Sequence, residues 1–252
     1  MGNFAAASGR LLCNNAPNMY RIGWASPLST AAGLANLTAG NFTLASNHLT
    51  FTIPAAATAD ANMVVINLAA AAYGAGAPRV PYPKYFLSYR VQNTTRGAYD
   101  SGLPSSYSQR LLVHNYNGSQ TEREYDRSWL IDWGPRFRQR DPAFPAGDVW
   151  TAPFVPYNDA TGLGGGLRVR VLRVGAASVD VDVCRMYGTS EGTPGSEECS
   201  NENDRDCDGL YGTDDPDCQE GGASQPLPPP PRPSPPLPRP TAAAAKPAAA
   251  KP

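Results

Sequence analysis

Histidine is almost missing from this chain, with only His48 and His114 among 252 residues. A three-histidine zinc peptidase needs two imidazoles at i and i+4 of one helix, a third histidine and a glutamate base. Two histidines far apart in strand-like segments cannot supply that set. Cys13 and Cys184, the only cysteines of the body, cannot supply a cysteine-rich zinc site either. The chain as written is therefore not expected to hydrolyse peptides. Long apolar runs are also missing; none approaches roughly 18 residues, so no helical membrane span is expected. The start has no charged region followed by an apolar core, so no signal peptide is expected within it. Position 6 is Ala6 rather than Ser or Thr, which removes Met1-Gly2 as a myristoylation start. Bulk charge decides nothing about nucleic acid, but the arginines are dispersed and no groove-reading motif occurs, which argues against that partner.

The formal net charge of −1 conceals an asymmetry. Residues 191–220 carry 11 acidic side chains against the single base Arg205, a density that points to cations. Four N-glycosylation acceptors occur, at Asn36, Asn41, Asn93 and Asn117. Together with clustered cysteines they imply a secreted, oxidising setting. A secreted-type chain without an export signal is expected to be part of a longer one.

The body reads as strands. Segments 48–54, 63–68, 85–92, 110–116, 128–133, 148–154, 167–174 and 178–184 are apolar or alternating and rich in β-branched and aromatic residues, with Gly, Pro, Asn and Asp between them. Eight such runs without an intervening amphipathic helix predict a mainly β fold, an antiparallel sandwich. In the last two runs Val169, Val171, Val179, Val181 and Val183 alternate with Arg168, Arg170, Asp180 and Asp182. A period of two buries the valines, and the connection 175–177 makes a hairpin in which Arg170 faces Asp182. Ala31, Ala32 and Ala69–Ala72 fit a helical turn, and Gly162–Gly166 reads as a flexible turn without the ending of a phosphate loop. Four regions follow: a β-rich domain to residue 187, a polar linker at 188–198, a Cys/Asp-rich module at 199–218 and a Pro-rich disordered tail at 219–252. Ten of the fifteen residues 226–240 are proline, which favours a polyproline II rod.

The sharpest motif is Asp204-x-Asp206-x-Asp208-Gly209, closed by Asp215. Carboxylates at loop positions 1, 3 and 5, the carbonyl of Leu210 at position 7 and a carboxylate at position 12 are the ligand pattern of calcium, and the glycine permits the sharp turn. Asp215 is shorter than the usual glutamate. The bland alternative is a solvated acidic linker. Five cysteines leave one over: among Cys199, Cys207 and Cys218 one pair is expected, with the third reaching Cys184 and Cys13 the orphan. Other signals are weak. Gly188-Thr-Ser190-Glu-Gly192 matches a nucleophile elbow in letters, but Thr193-Pro-Gly follows where a helix is required. His114 reads as a core residue, Arg136, Arg138 and Arg140 as a solvated edge, and Trp129 and Trp133 as core rather than sugar platforms.

The segment Cys13-Asn-Asn-Ala-Pro17 running into Ile22-Gly-Trp24, with Tyr85–Arg90, Tyr99-Asp-Ser-Gly-Leu103 and Leu112-Val-His114, resembles gametolysin-like metalloproteases (peptidase M11), which dissolve the glycoprotein walls of green algae. The resemblance covers roughly residues 1–185 and implies that Met1 stands at the Met-turn, that zinc is the family's metal, and that an N-terminal half carries the catalytic helix and a partner for Cys13. The zinc ligands and catalytic glutamate have no counterpart here, so no catalytic residue is carried over. Cys207-Asp-Gly-Leu and Asp214-Asp-Pro-Asp-Cys218 resemble thrombospondin type 3 calcium repeats, and the tail resembles hydroxyproline-rich wall spacers. The expected function is a portion of a secreted protease whose partners are extracellular-matrix or cell-wall glycoproteins. The alternatives are a non-catalytic, calcium-dependent matrix glycoprotein and, less fitting, an intracellular SH3-bound scaffold.

Overall fold

The computed structural model describes residues 10–30, 33–68, 84–116, 128–131, 145–160 and 163–219. Met1, Ala31, Ala32, Ala69–Ala72, Asn117, the ring of Trp129, Trp133, Arg136, Arg138, Arg140 and the proline-rich segment lie outside the described residues. The elements are helix α1 (Ala16–Ile22) and strands β1 (Ser26–Pro27), β2 (Ser29–Thr30), β3 (Gly33–Leu34), β4 (Asn36–Thr38), β5 (His48–Pro54), β6 (Ala61–Asn67) and β7 (Lys84–Arg90). They continue with β8 (Arg110–Tyr116), β9 (Ser128–Leu130), β10 (Val149–Thr151), β11 (Val155–Asn158), β12 (Leu163–Val174) and β13 (Ser178–Met186). One large sheet runs β1-β6-β7-β8-β9 with β4 also on β6, a second runs β10-β12-β13-β5 with β11 also on β12, and β2 and β3 pair with each other alone. The sandwich is mainly antiparallel, but β1 and β4 both pair parallel to β6.

The valine alternation works as the period of two requires. Val169, Val171, Val179, Val181 and Val183 are all buried, and they meet Val64, Ile66, Leu87, Tyr89, Leu111 and Val113 of the facing sheet in one core. Trp150 of β10 closes that core, its ring edge-on to Tyr85 at 4.9 Å between centroids. A strand half-buried on one face alternates; β6 and β7 instead are buried at nearly every position because both of their faces are covered. Their second face, Met63, Val65 and Phe86, packs under Ala16 and Met19 of α1.

Helix α1 lies before the eight strand runs, which no α-helix interrupts among the described residues, and it is an element the strand pattern did not announce. Asn15 caps it, its side chain accepting from the Asn18 N–H at 3.0 Å; Pro17 stands in the first turn and Gly23 ends it in the left-handed region. Seven residues are too few to show an amphipathic period. The stretches that carry the family resemblance meet beside it. Buried Asp100 pairs with Arg90 and accepts from the Cys13 N–H at 2.9 Å, while Arg90 Nη2 donates to the Cys13 carbonyl at 3.1 Å.

The glycine run is not a turn. Leu163–Gly166 begins β12, where two backbones approach too closely for side chains. At Gly165 (φ +93°) a Cβ would stand 2.5 Å from the Met186 carbonyl oxygen. Gly165→Ala is therefore expected to lose about 1–3 kcal/mol in urea unfolding, through left-handed strain together with displacement of β13.

His114 of β8 is 5% exposed, between Phe86 on β7 and Leu130 on β9. Burial, aided by the positive charge of Arg90, pushes its imidazole down to about 3. A folded-state value below the unfolded 6.5 means that the unfolded chain binds the extra proton first. The contribution is fully present above pH 6.5 and is lost as pH falls toward 3. From pH 7 to 5 the wild type should lose roughly 2 kcal/mol more than His114→Gln, measured by urea unfolding at each pH.

Candidate metal centre

The acidic segment 199–218 is fastened to the open end of the β12–β13 hairpin. Cys184, near the end of β13, is bonded to Cys207, and Cys199 to Cys218. Both bonds fall within the expected pairings, and Cys13 is free as expected. Around the first bond the sandwich takes hold of loop backbone. Asn47 donates to the Asp204 carbonyl, Arg170 Nη2 to the Asp208 carbonyl at 2.6 Å and Arg168 Nη1 to the Asp206 carbonyl at 3.4 Å. The Tyr187 N–H donates to the Arg205 carbonyl at 2.8 Å. Arg170 and Asp182 are register partners as expected, but they do not form the expected pair. Asp182 takes His48 instead, and Arg170 is drawn to the loop.

The loop then aims its carboxylates inward. The Gly209 N–H donates to Asp204 Oδ2 at 2.8 Å, Asp208 N–H to Asp206 Oδ1 at 3.0 Å, Leu210 N–H to Asp208 Oδ1 at 2.7 Å, and Asp217 N–H to Asp215 Oδ1 at 2.6 Å. Each bond fixes a carboxylate by one oxygen and leaves the other for something else. Gly209 has φ +93°, as the position-6 turn requires, and Cys207 holds φ +64° without being glycine. Asp204 and Asp215 are 6% and 1% exposed, yet Asp204 Oδ1 and Asp215 Oδ2 have no hydrogen-bond partner.

Oxygens of Asp206, Asp208 and Asp215 lie within 4.8 Å of one another, and so do oxygens of Glu191, Asp204 and Asp206. Either trio could hold a metal ion. His48 with Cys184 and Cys207 forms a third grouping at that spacing, but the two sulfurs are bonded to each other and the imidazole is occupied by aspartates. Leu210, the expected carbonyl ligand, sits on the loop with its side chain exposed.

Mutual crowding shows in the titration of the group. Asp206 is pushed up to about 6 by burial and by the neighbouring Asp208. Glu191 is pushed up to about 7, chiefly by burial; the N–H groups of Arg205 and Asp206 oppose the rise, and Asp206 and Asp204 add to it. Asp215 is raised by burial, with Asp208 among the charges that add to the shift. A cation among these oxygens removes the repulsion and restores the ionised forms. His48 is also pushed up, to about 9, through hydrogen bonds to Asp182 and then Asp204, which for an imidazole favours the charged form. Its Nδ1 donates to Asp182 Oδ2 at 2.8 Å and its Nε2 stands 3.1 Å from Asp204 Oδ2, so the imidazolium is the one cation the sandwich places on this carboxylate among the described residues.

Glu191 and His48 were not anticipated as members of this site. Glu191 was hidden in a polar stretch that reads as a linker, and only the acidic count hinted at it. Residues 191–197 are turn and bend rather than helix, so the nucleophile-elbow letters are not an elbow. Asn36, Asn41 and Asn93 are exposed; Asn41 Oδ1 already accepts from the Thr38 N–H. Zinc of the three-histidine type does not fit the described residues, because His114 is enclosed in β8 and His48 is committed to two aspartates.

Fold and site together define a disulfide-stabilised β-sandwich protein of the extracellular type, carrying a carboxylate loop able to take a cation. Comparison with known proteins makes this more specific. The family model described as gametolysin peptidase M11 matches residues 1–133. The autolysin of Chlamydomonas reinhardtii is 45% identical over 230 residues, covering 87% of this chain and 34% of that protein. The chain belongs to the gametolysin (peptidase M11) family and spans about a third of the length of that relative. No solved structure matches it.

The Cys184–Cys207 bond closes a 23-residue separation between sandwich and loop. Replacing both with serine is expected to cost about 3 kcal/mol, measured by urea unfolding in chelator so that no cation contributes.

Proposed function

We propose that the chain is the β-sandwich portion of a secreted gametolysin-type protease directed at extracellular-matrix or cell-wall glycoproteins, and that its acidic module binds calcium for structure. The described chain supplies the scaffold beside a catalytic centre and does not itself cleave peptide bonds, since two histidines cannot make the family's zinc site. One observation carries the calcium reading. Carboxylate oxygens of Asp206, Asp208 and Asp215 lie within 4.8 Å of one another while the buried Asp215 Oδ2 is left without a donor. Hard oxygen ligands of like charge, with no nitrogen or sulfur among them, suit calcium or a similar divalent cation. Family membership and the identity to an autolysin support the protease setting. The exposed Asn36, Asn41 and Asn93 are suited to carry glycans, which fits the same compartment.

Calcium at a hundred times its Kd should stabilise the fold by about 2.7 kcal/mol. For a chain of this size that corresponds to a Tm rise of roughly 5–11 °C over the chelated protein, seen in a thermal melt. Asp206→Asn should abolish the rise. The purified chain should leave gelatin intact with zinc added; stoichiometric zinc together with gelatin cleavage sinks the non-catalytic part of the reading.

A further inference from the structure

An acidic 12-residue loop of this pattern ordinarily gathers its position-1, 3, 5 and 12 carboxylates on one ion. Here the carboxylates divide. Asp208 and Asp215 group with Asp206, whereas Asp204 groups with Asp206 and with Glu191, which stands outside the loop in the segment leading from β13. Glu191 is fully buried at 0% exposure and its Oε1 accepts from the Arg205 N–H and, at 3.4 Å, from the Asp206 N–H. Its Oε2 has no partner, and neither has Asp204 Oδ1 on the other side of the same trio.

A buried carboxylate oxygen without a donor is costly to keep, above all when charged. A proton on Glu191 could be shared with one neighbouring carboxylate oxygen, but a single proton serves two of the three oxygens and leaves the third without a partner. His48 meets Asp204 through Oδ2 and leaves Oδ1 open. Arg168 and Arg170 of β12 bond to loop carbonyls. The one species that satisfies three anionic oxygens at once is a cation.

We infer that the module holds two divalent cations rather than one, an outer ion on Asp206, Asp208 and Asp215 and an inner ion on Glu191, Asp204 and Asp206, with Asp206 shared. This rests on the proposed calcium reading and extends it to a residue outside the repeat. The inner ion joins two pieces of chain. Glu191 follows β13, while Asp204 and Asp206 belong to the loop, where Asp204 is also bonded to His48 of β5. Its occupancy therefore fixes the module to the sandwich, whereas the outer ion only orders the loop.

The test is calcium titration of the full chain, disulfides intact and stripped with chelator, followed by isothermal calorimetry. Wild type should bind two ions. Glu191→Gln keeps an oxygen to accept from Arg205 and Asp206 but loses the charge, and should bind one. Asp208→Asn keeps its turn bond to Leu210, should also bind one, and supports the inner site independently of how the Glu191 variant folds. The double variant should bind none. Two ions in wild type and two in Glu191→Gln at unchanged affinity overturn the assignment to Glu191. A single ion in wild type overturns the inner site and leaves the outer one standing. No calcium in wild type overturns this inference and the calcium reading together.

Discussion

Carboxylates taken out of water are the constraint on which this end of the molecule depends. An isolated ionised group cannot be buried without a donor or a counter-charge. Asp204, Asp215 and Glu191 are nonetheless almost fully enclosed. The backbone N–H groups of the loop answer for one oxygen of each carboxylate, and His48 answers for part of Asp204. What they leave open sets the electrostatic character of the whole module. The disulfide to Cys184, Asn47 and two arginines hold the main chain of the loop from the sandwich side.

That division of labour explains the arginines of β12. On sequence alone Arg168 and Arg170 are the polar alternates of a half-buried strand, balanced by the aspartates of β13. In the fold they bond to the Asp206 and Asp208 carbonyls. A guanidinium placed on a carbonyl steadies the chain without neutralising the acids next to it. The cationic contribution of the sheet is thereby spent on geometry, and the carboxylate oxygens stay available. A Cβ at Gly209 would stand 3.2 Å from the Arg170 guanidinium, so the turn glycine also makes room for this contact.

Much of the fold was legible because strand periodicity and burial share a cause. The alternating valines of β12 and β13, the span of β5 and that of β8 follow directly from side chains facing alternate ways. Helix α1 was not legible: its cap, proline and terminal glycine are all present, but seven residues give no period. The parallel pairings of β1 and β4 were not legible either, since two or three residues carry no register signal. The glycine run misled because a residue without a side chain signals both a flexible turn and a close approach of two backbones. Within the site, the loop aspartates announce themselves by spacing. Glu191 and His48 reach it through tertiary contacts over 14 and 156 positions, which no local pattern encodes.

The pairing of β5 with β13 has a consequence for how the chain is made. Cys184 on β13 faces His48 on β5, and 136 positions separate them. At synthesis rates of about 5–20 residues per second, β5 leaves the ribosome roughly 7–27 s before its partner exists. Throughout that interval Leu49, Phe51 and Ile53 have no neighbouring strand on their own sheet. The hairpin β12–β13, by contrast, is contiguous and can form as soon as it emerges. The second sheet is thus completed from its late end, with an early strand waiting for it, and nascent chains halted before residue 178 would display an apolar edge open to chaperones and to one another.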